Sequence, residues 1–220
     1  TASEIDYFRR RWKVSPEESL AILKEAGLQS MPGGGAEAFS SRVHKILLPG
    51  KANADRWAEI HKTAHRMDIP TNCTLLYGHI ESFEERIEHL VRLRNIQDEP
   101  GGFLAFIPLE YQVGMTKLRP RHTPAMDDLK MIAAARLMLD NIKYIKSYWV
   151  MLGAATASIG LNFGANDLDG TIGKERIAHA ALAESPAGQA RESMASSIRD
   201  ARRIPVERDA LYNEIKVYDH

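Results

Sequence analysis

The sequence predicts an α/β fold: a partial TIM-type (β/α) barrel over residues 1–172, followed by a helical C-terminal extension, 173–220, packed on the barrel. Short apolar stretches alternate with helical patterns along the chain, which implies right-handed βαβ crossovers and a parallel sheet. Strand centres near Ser30, Thr74, Ala105 and Trp149 lie 44, 31 and 44 residues apart, a βα period with elaborated loops. A closed eight-fold barrel needs about 250 residues. Five units in 220 residues therefore read as a partial barrel or as most of a larger one.

Each element has a local cause. Ser15-Pro16-Glu17-Glu18 is a capping box with proline in the first turn, and the helix it opens stops at Gly27. A strand is expected at Leu28–Met31, before the glycine-rich Pro32-Gly33-Gly34-Gly35-Ala36-Glu37. Asp55 to Met67 places Trp57, Ile60 and Ala64 on one helical face. Asn72–Tyr77 is apolar and β-branched, hence a strand. Ser82-Phe83-Glu84-Glu85 caps the next helix, Gly101-Gly102 closes its loop, and Phe103–Ile107 is the third strand. Thr123-Pro124 caps a long helix through Leu139. Tyr144–Leu152 is expected as a fourth strand, Thr156–Phe163 as a helix, and Asp167–Thr171 as a fifth strand. Lys174–Ala183 and Pro186–Ala201 complete a helical tail.

Composition narrows the function. Lys plus Arg and Asp plus Glu both number 29, so no excess charge points to nucleic acid or an anionic membrane. The longest apolar runs fall far short of a membrane span, and the charged start, Thr1 to Lys13, has no signal-peptide core, so a cytoplasmic location is expected. One cysteine, Cys73, excludes an internal disulfide and any cluster needing several thiolates from this chain. It reads as a small buried hydrophobe. No nucleophile elbow, P-loop or dinucleotide fingerprint occurs.

In barrels of this type the chemistry sits on loops after the strands, and the informative residues fall there. Gly33, Gly34 and Gly35 permit backbone approach to a ligand, and Glu37 can accept from hydroxyls or an amine; a flexible turn is the competing reading. Tyr77 and His79, around Gly78, project from the second strand's exit, where His79 can donate a proton or be a loop histidine fixed locally. Glu110 and Tyr111 follow Pro108, with Glu110 either lining the mouth or solvated. Asp167 and Asp169 share one side of an extended segment and suit a metal or ribose, although Asx-rich turns give the same pattern. His61 and His65, spaced i and i+4, lack a third ligand and read as a solvated helix face, and no metal site is assigned. Arg9-Arg10-Arg11 reads as surface charge.

The ordered set Glu25–Glu37, Tyr77-Gly78-His79-Ile80-Glu81, Gln97–Phe103 and Phe106-Ile107-Pro108 resembles the radical S-adenosylmethionine enzymes of the futalosine route to menaquinone. Asp167-Leu168-Asp169-Gly170-Thr171 and Pro205-Val206-Glu207-Arg208-Asp209 resemble the aminodeoxyfutalosine synthase branch; the sister dehypoxanthine futalosine cyclases tend to differ there. The resemblance implies a radical S-adenosylmethionine barrel, S-adenosylmethionine as cofactor, a [4Fe–4S] cluster and an electron donor for it. It implies addition of the 5′-deoxyadenosyl group to the enol ether of 3-[(1-carboxyvinyl)oxy]benzoate, with aryl migration and decarboxylation. Gly34 and Glu37 would contact the methionine or ribose portion, Tyr77 and His79 would face this small carboxylate substrate, and Asp169 would shape the far wall.

The family's cluster loop, C-x-x-x-C-x-x-C, has no counterpart here. The chain therefore reads as the carboxyl-terminal portion of a longer protein, without radical chemistry of its own. Unpaired barrel edges favour an oligomer or a complementing N-terminal segment. The alternative from another class is a non-catalytic half-barrel that binds a small carboxylate.

Overall fold

The structure, a computed structural model, describes residues 1–114, 118, 121–170, 180, 185–186 and 188–218. The chain divides into two compact units. One comprises Thr1–Tyr77, Glu81–Phe106 and Met138–Lys143. The other comprises Gly78–Ile80, Ile107–Leu137 and Tyr144–His220.

In the first unit, helices α1 (Ala2–Trp12), α2 (Pro16–Glu25), α3 (Ser41–Leu47) and α4 (Ala54–Arg66) precede strand β1 (Thr71–Tyr77). Helix α5 (Phe83–Asp98) leads into β2 (Phe103–Glu110), of which Phe103–Phe106 belong to this unit and the rest to the other. The capping boxes at Ser15 and Ser82 form as the sequence demands, each hydroxyl accepting from the N–H three residues on. The charged start is also a helix, with its own capping box between Thr1 and Glu4. Ile60, Leu75, Leu90 and Leu93 are fully buried. Each contributes on the order of 2 kcal/mol by removal from water.

Three buried imidazoles tie helices α4 and α5 to β1. Nδ1 of His61 and Nε2 of His65 both contact the Thr71 hydroxyl, at 2.8 and 2.9 Å. The solvated helix face expected for them is thus corrected: both are buried, because i and i+4 on α4 coincide with the face that carries Trp57 and Ile60. His89 on α5 donates from Nε2 to the Thr74 carbonyl at 2.9 Å, and its Nδ1 accepts from Phe39 N–H at 3.1 Å. The α5–β2 loop is closed by Gln97, whose carboxamide accepts from Phe103 N–H at 2.9 Å and donates to its carbonyl at 3.3 Å. Gly102 within that loop has φ +119°, and a Cβ there would stand 2.4 Å from His65 Cγ.

The second unit contains α6 (Ala125–Met138) apart from its last residue, the short strand β3 (Tyr144–Ile145), α7 (Trp149–Leu152) and α8 (Ala154–Gly160). Helix α9 (Arg191–Asp200) and a hairpin of β4 (Val206–Arg208) and β5 (Glu214–Val217) follow. Strands β1, β2 and β3 form a parallel sheet in that order, while β4 and β5 pair antiparallel with Val206 opposite Val217.

Four expectations are revised. Leu28–Met31 contributes only one parallel bridge, Met31 to Thr71, because Pro32 has no N–H with which to extend a ladder. Tyr144–Leu152 splits into β3 and α7; an apolar run fits a buried helix as well as a strand. Asp167 makes a single parallel bridge to Lys146, and Asp169, at φ +72°, ends the extended run. The tail is helical at 191–200 but then turns into the hairpin. Thr171 and the helix expected at Lys174–Ala183, Ala180 excepted, lie outside the described residues.

Candidate functional site

Within the first unit, the glycine segment runs beside β1. Thr74 Oγ1 donates to the Gly33 carbonyl at 3.1 Å, and Leu76 N–H donates to the Glu37 carbonyl at 2.8 Å. The three glycines serve different ends. A Cβ on Gly33 would lie 2.4 Å from the Asn72 carbonyl oxygen, and one on Gly35, at φ +100°, would lie 2.4 Å from Ser3 Oγ. Both exist for close packing against the chain itself. Gly34 faces space, its nearest neighbour being a Thr1 methyl at 3.9 Å. Glu37 holds a left-handed backbone at φ +47°, which costs a non-glycine residue on the order of 1 kcal/mol. Ser3 Oγ, beside Gly35, is buried and has no hydrogen-bond partner. A half-buried carboxylate, an open glycine and an orphaned hydroxyl suit the amine and hydroxyls of a methionine-ribose ligand.

Tyr77 is fully buried. It shares the β1 face that carries Thr71, and the Arg86 guanidinium of α5 lies 5.2 Å from its ring centroid. Arg86 in turn donates from Nε to Glu81 Oε1 at 2.7 Å, and the Glu81 side chain is fully shielded from solvent. The ring is therefore clamped against the helical side of its strand. In the sequence the Glu81–Arg86 pair carries no local signal beyond its i, i+5 spacing.

The remaining expected residues belong to the second unit. His79 is buried, and its Nδ1 accepts from Ile80 N–H at 2.7 Å. A neutral ring then carries its proton on Nε2. The imidazole meets Tyr111 edge to face, with centroids 5.9 Å apart. Glu110 is buried at the C-terminal end of β2 and not solvated. Its Oε1 accepts from Thr123 N–H at 3.0 Å and lies 3.5 Å from His122 Nδ1. Burial raises its pKa against the lowering effect of these partners.

Asp167 and Asp169 are brought together with three residues that the sequence did not single out as a site. Arg208 Nε donates to Asp167 Oδ2 at 2.6 Å, and Lys146 forms an ion pair with Asp169 Oδ1. The backbone N–H of Asp169 donates to Asp167 Oδ1. The Arg208 guanidinium lies 4.0 Å from the ring centroid of Tyr212, which stacks on Tyr144 at 4.2 Å. Burial, followed by the charge of Asp167, pushes the Tyr212 hydroxyl well above its usual range. Lys146 falls inside the strand that the sequence predicts at Tyr144–Leu152, so nothing local marks it as a site residue.

A depression of about 420 Å³ in the first unit is lined by Asp6, Arg9, Arg10, Lys51, Arg56 and Glu59 and includes none of the expected residues. Its arginines are paired with Asp6 and Glu59. Among the described residues, no group of three or more His, Cys, Asp or Glu could hold a metal ion. The single thiol, Cys73, is buried in β1 with Sγ 3.6 Å from the Ala105 carbonyl, and burial pushes its pKa up. These residues do not fit an iron–sulfur cluster. Among the described residues no helix is long and apolar enough to cross a membrane.

The chain is 48% identical over its whole length to the aminodeoxyfutalosine synthase of Thermus thermophilus, and 38% identical to that of Streptomyces coelicolor. It is also 42% identical, over 97% of its length, to a 5-amino-6-(D-ribitylamino)uracil–L-tyrosine 4-hydroxyphenyl transferase of Methanothermobacter thermautotrophicus. In each case it spans 60% of the relative. Residues 100–220 match the family described as the CofH/MqnC C-terminal region. That match takes in β2, the Asp167–Asp169 turn and the hairpin carrying Arg208, and it covers more than half of the sequence: the chain belongs to the CofH/MqnC C-terminal family.

Proposed function

We propose that this chain is the carboxyl-terminal part of an aminodeoxyfutalosine synthase of menaquinone biosynthesis. The observation that carries the reading is the 48% identity to a synthase along the entire chain. In this reading residues 1–172 are part of a radical S-adenosylmethionine barrel, with 173–220 as its extension. When bound, S-adenosylmethionine supplies the 5′-deoxyadenosyl group that joins 3-[(1-carboxyvinyl)oxy]benzoate, with aryl migration and loss of the carboxyl carbon.

The chain's own residues bind and orient. Gly34 offers backbone at an open position, and Glu37 accepts from the cofactor's amine or ribose hydroxyls. Gly33 and Gly35 keep that segment tight against its neighbours. With Nδ1 accepting from Ile80 N–H, His79 has Nε2 as the nitrogen to pass a proton, and Tyr77 backs the strand exit beneath Arg86. Glu110, Asp167 and Asp169, at or beyond strand ends, belong to the substrate side. Cluster ligands and the electron donor come from outside these residues.

The test uses the full-length protein under anaerobic conditions with reductant and S-adenosylmethionine. With 3-[(1-carboxyvinyl)oxy]benzoate, aminodeoxyfutalosine is expected by mass spectrometry. Turnover instead of dehypoxanthine futalosine, or of tyrosine with 5-amino-6-(D-ribitylamino)uracil, would replace the reading. Glu37→Ala is expected to weaken S-adenosylmethionine binding, and His79→Ala to lower turnover at unchanged cofactor affinity.

A further inference from the structure

Lys146 directly follows β3, and its parallel bridge to Asp167 sets the two residues side by side at the C-terminal ends of adjacent extended segments. In barrels that end carries the ligand site. Arg208 reaches the same place from the hairpin. Its Nη2 stands 3.6 Å from Asp169 Oδ1, the oxygen that Lys146 Nζ also contacts. Two cations thus converge on one carboxylate oxygen.

Charge balances, with two carboxylates for two cations, but hydrogen-bond donors do not. An ammonium has three N–H donors and a guanidinium five. Lys146 bonds Asp169; Arg208 bonds Asp167 and, from Nη1, the Asp209 carbonyl at 2.9 Å. Arg208 Nη2 is buried with no hydrogen-bond partner, and so is the hydroxyl of Tyr212, a residue only 9% exposed. The Tyr212 ring lies under both cations, 4.0 Å from the guanidinium carbon and 5.9 Å from Nζ. Tyr212 itself has φ +68°, a conformation rare for a bulky side chain. A surplus of buried donors flanked by two positive charges is complementary to an anionic acceptor, and least costly to fill with a planar carboxylate.

We propose that Lys146 and Arg208 form a carboxylate-recognition subsite, with Tyr212 as a third donor and Asp169 and Asp167 as the counter-ions that hold the cations in place. The aspartates therefore do not contact an acidic substrate directly. They position the groups that do. Naming 3-[(1-carboxyvinyl)oxy]benzoate as the occupant rests on the function proposed above; the subsite rests on the geometry of these five side chains.

The test is calorimetric titration of the full-length protein, without S-adenosylmethionine, using 3-[(1-carboxyvinyl)oxy]benzoate, its dimethyl ester and benzoate as probes. Charge-assisted hydrogen bonds of this kind set the scale, so Lys146→Met is expected to weaken binding of the acids about tenfold or more. Arg208→Lys, which keeps charge but loses the fork, is expected to weaken it several-fold. Asp169→Asn keeps an oxygen acceptor to hold Lys146 while removing the competing negative charge, so it is expected to tighten binding, whereas cations that serve only the fold predict no gain. The ester is expected to be indifferent to all three. Should Lys146→Met fail to fold, Lys146→Arg, expected to stay close to wild type, and Asp169→Asn carry the test. Equal affinities across the variants, or weaker acid binding by folded Asp169→Asn, overturn the subsite. If benzoate shows the pattern but the enol ether does not bind, the subsite stands and the proposed substrate falls. If the wild type turns the enol ether over while the variants bind it alike, the subsite falls and the function stands.

Discussion

Arg208 and Asp167, 41 residues apart in sequence, meet at 2.6 Å through Nε and Oδ2. Their side chains are 21% and 5% exposed, so the pair is largely withdrawn from water. Removing one partner leaves an uncompensated charge, a defect of roughly 3–5 kcal/mol when burial is complete. Arg208→Met is accordingly expected to lower stability by about 2–4 kcal/mol, and Asp167→Asn by somewhat less. The double variant is expected to be less unstable than the sum, with a coupling above about 1 kcal/mol by urea unfolding. Strict additivity would show that the contact carries no energy.

Gly33→Ala and Gly34→Ala make a matched pair. At Gly33 the new methyl would meet the Asn72 carbonyl oxygen and Cys73 Cα, both backbone atoms of β1 that cannot yield cheaply. At Gly34 it meets only a Thr1 methyl at ordinary contact distance. Thermal unfolding is expected to show Gly33→Ala destabilised by about 2 kcal/mol or more, and Gly34→Ala within about 1 kcal/mol of wild type. Reversal of that order would contradict the placement of the segment against β1.

Acid is expected to destabilise the fold well before carboxylates titrate. Burial lowers the pKa of His89 to about 3 and of His65 to about 4, and that of His61 well below its ordinary value, where the charge of His65 adds to the effect. Between about pH 6.5 and these values the unfolded chain binds protons that the native state refuses. Stability therefore falls as pH drops through that window and is fully present above it. Urea midpoints at pH 7.5, 6 and 5 should decline in order. His89→Gln should flatten part of the slope, at the cost of a lower midpoint at pH 7.5.

Glu110 behaves in the opposite sense. Burial raises its folded pKa above the unfolded value, so the native state holds a proton that the unfolded chain has lost. Its contribution is present below about pH 4.5 and is lost as pH rises through the folded value. Glu110→Gln keeps an acceptor for Thr123 N–H without the charge. It is expected to leave stability at pH 7 unchanged or raised by up to about 1 kcal/mol, as measured by urea unfolding. A large loss would assign the ionised carboxylate a supporting role with His122.

Local chemistry determined much of this protein in advance. The capping boxes at Ser15 and Ser82, the stop at Gly27 and the largely apolar strand ending at Tyr77 appear where the sequence puts them, since each depends on groups within a few residues. The membership of the family was also legible, because its motifs are linear. What the sequence left open depends on partners distant along the chain. Whether Tyr144–Leu152 was strand or helix, whether His61 and His65 met solvent, and that residues 206–217 form a hairpin were decided by packing that no local period encodes. The same holds for the candidate site. Asp167 and Asp169 are visible as carboxylates in a turn, but Lys146, Arg208 and Tyr212 become their neighbours only when β3, the turn and the hairpin fold together. Charges so far apart in sequence acquire a shared meaning through a distance of a few ångströms, and only the tertiary structure supplies it.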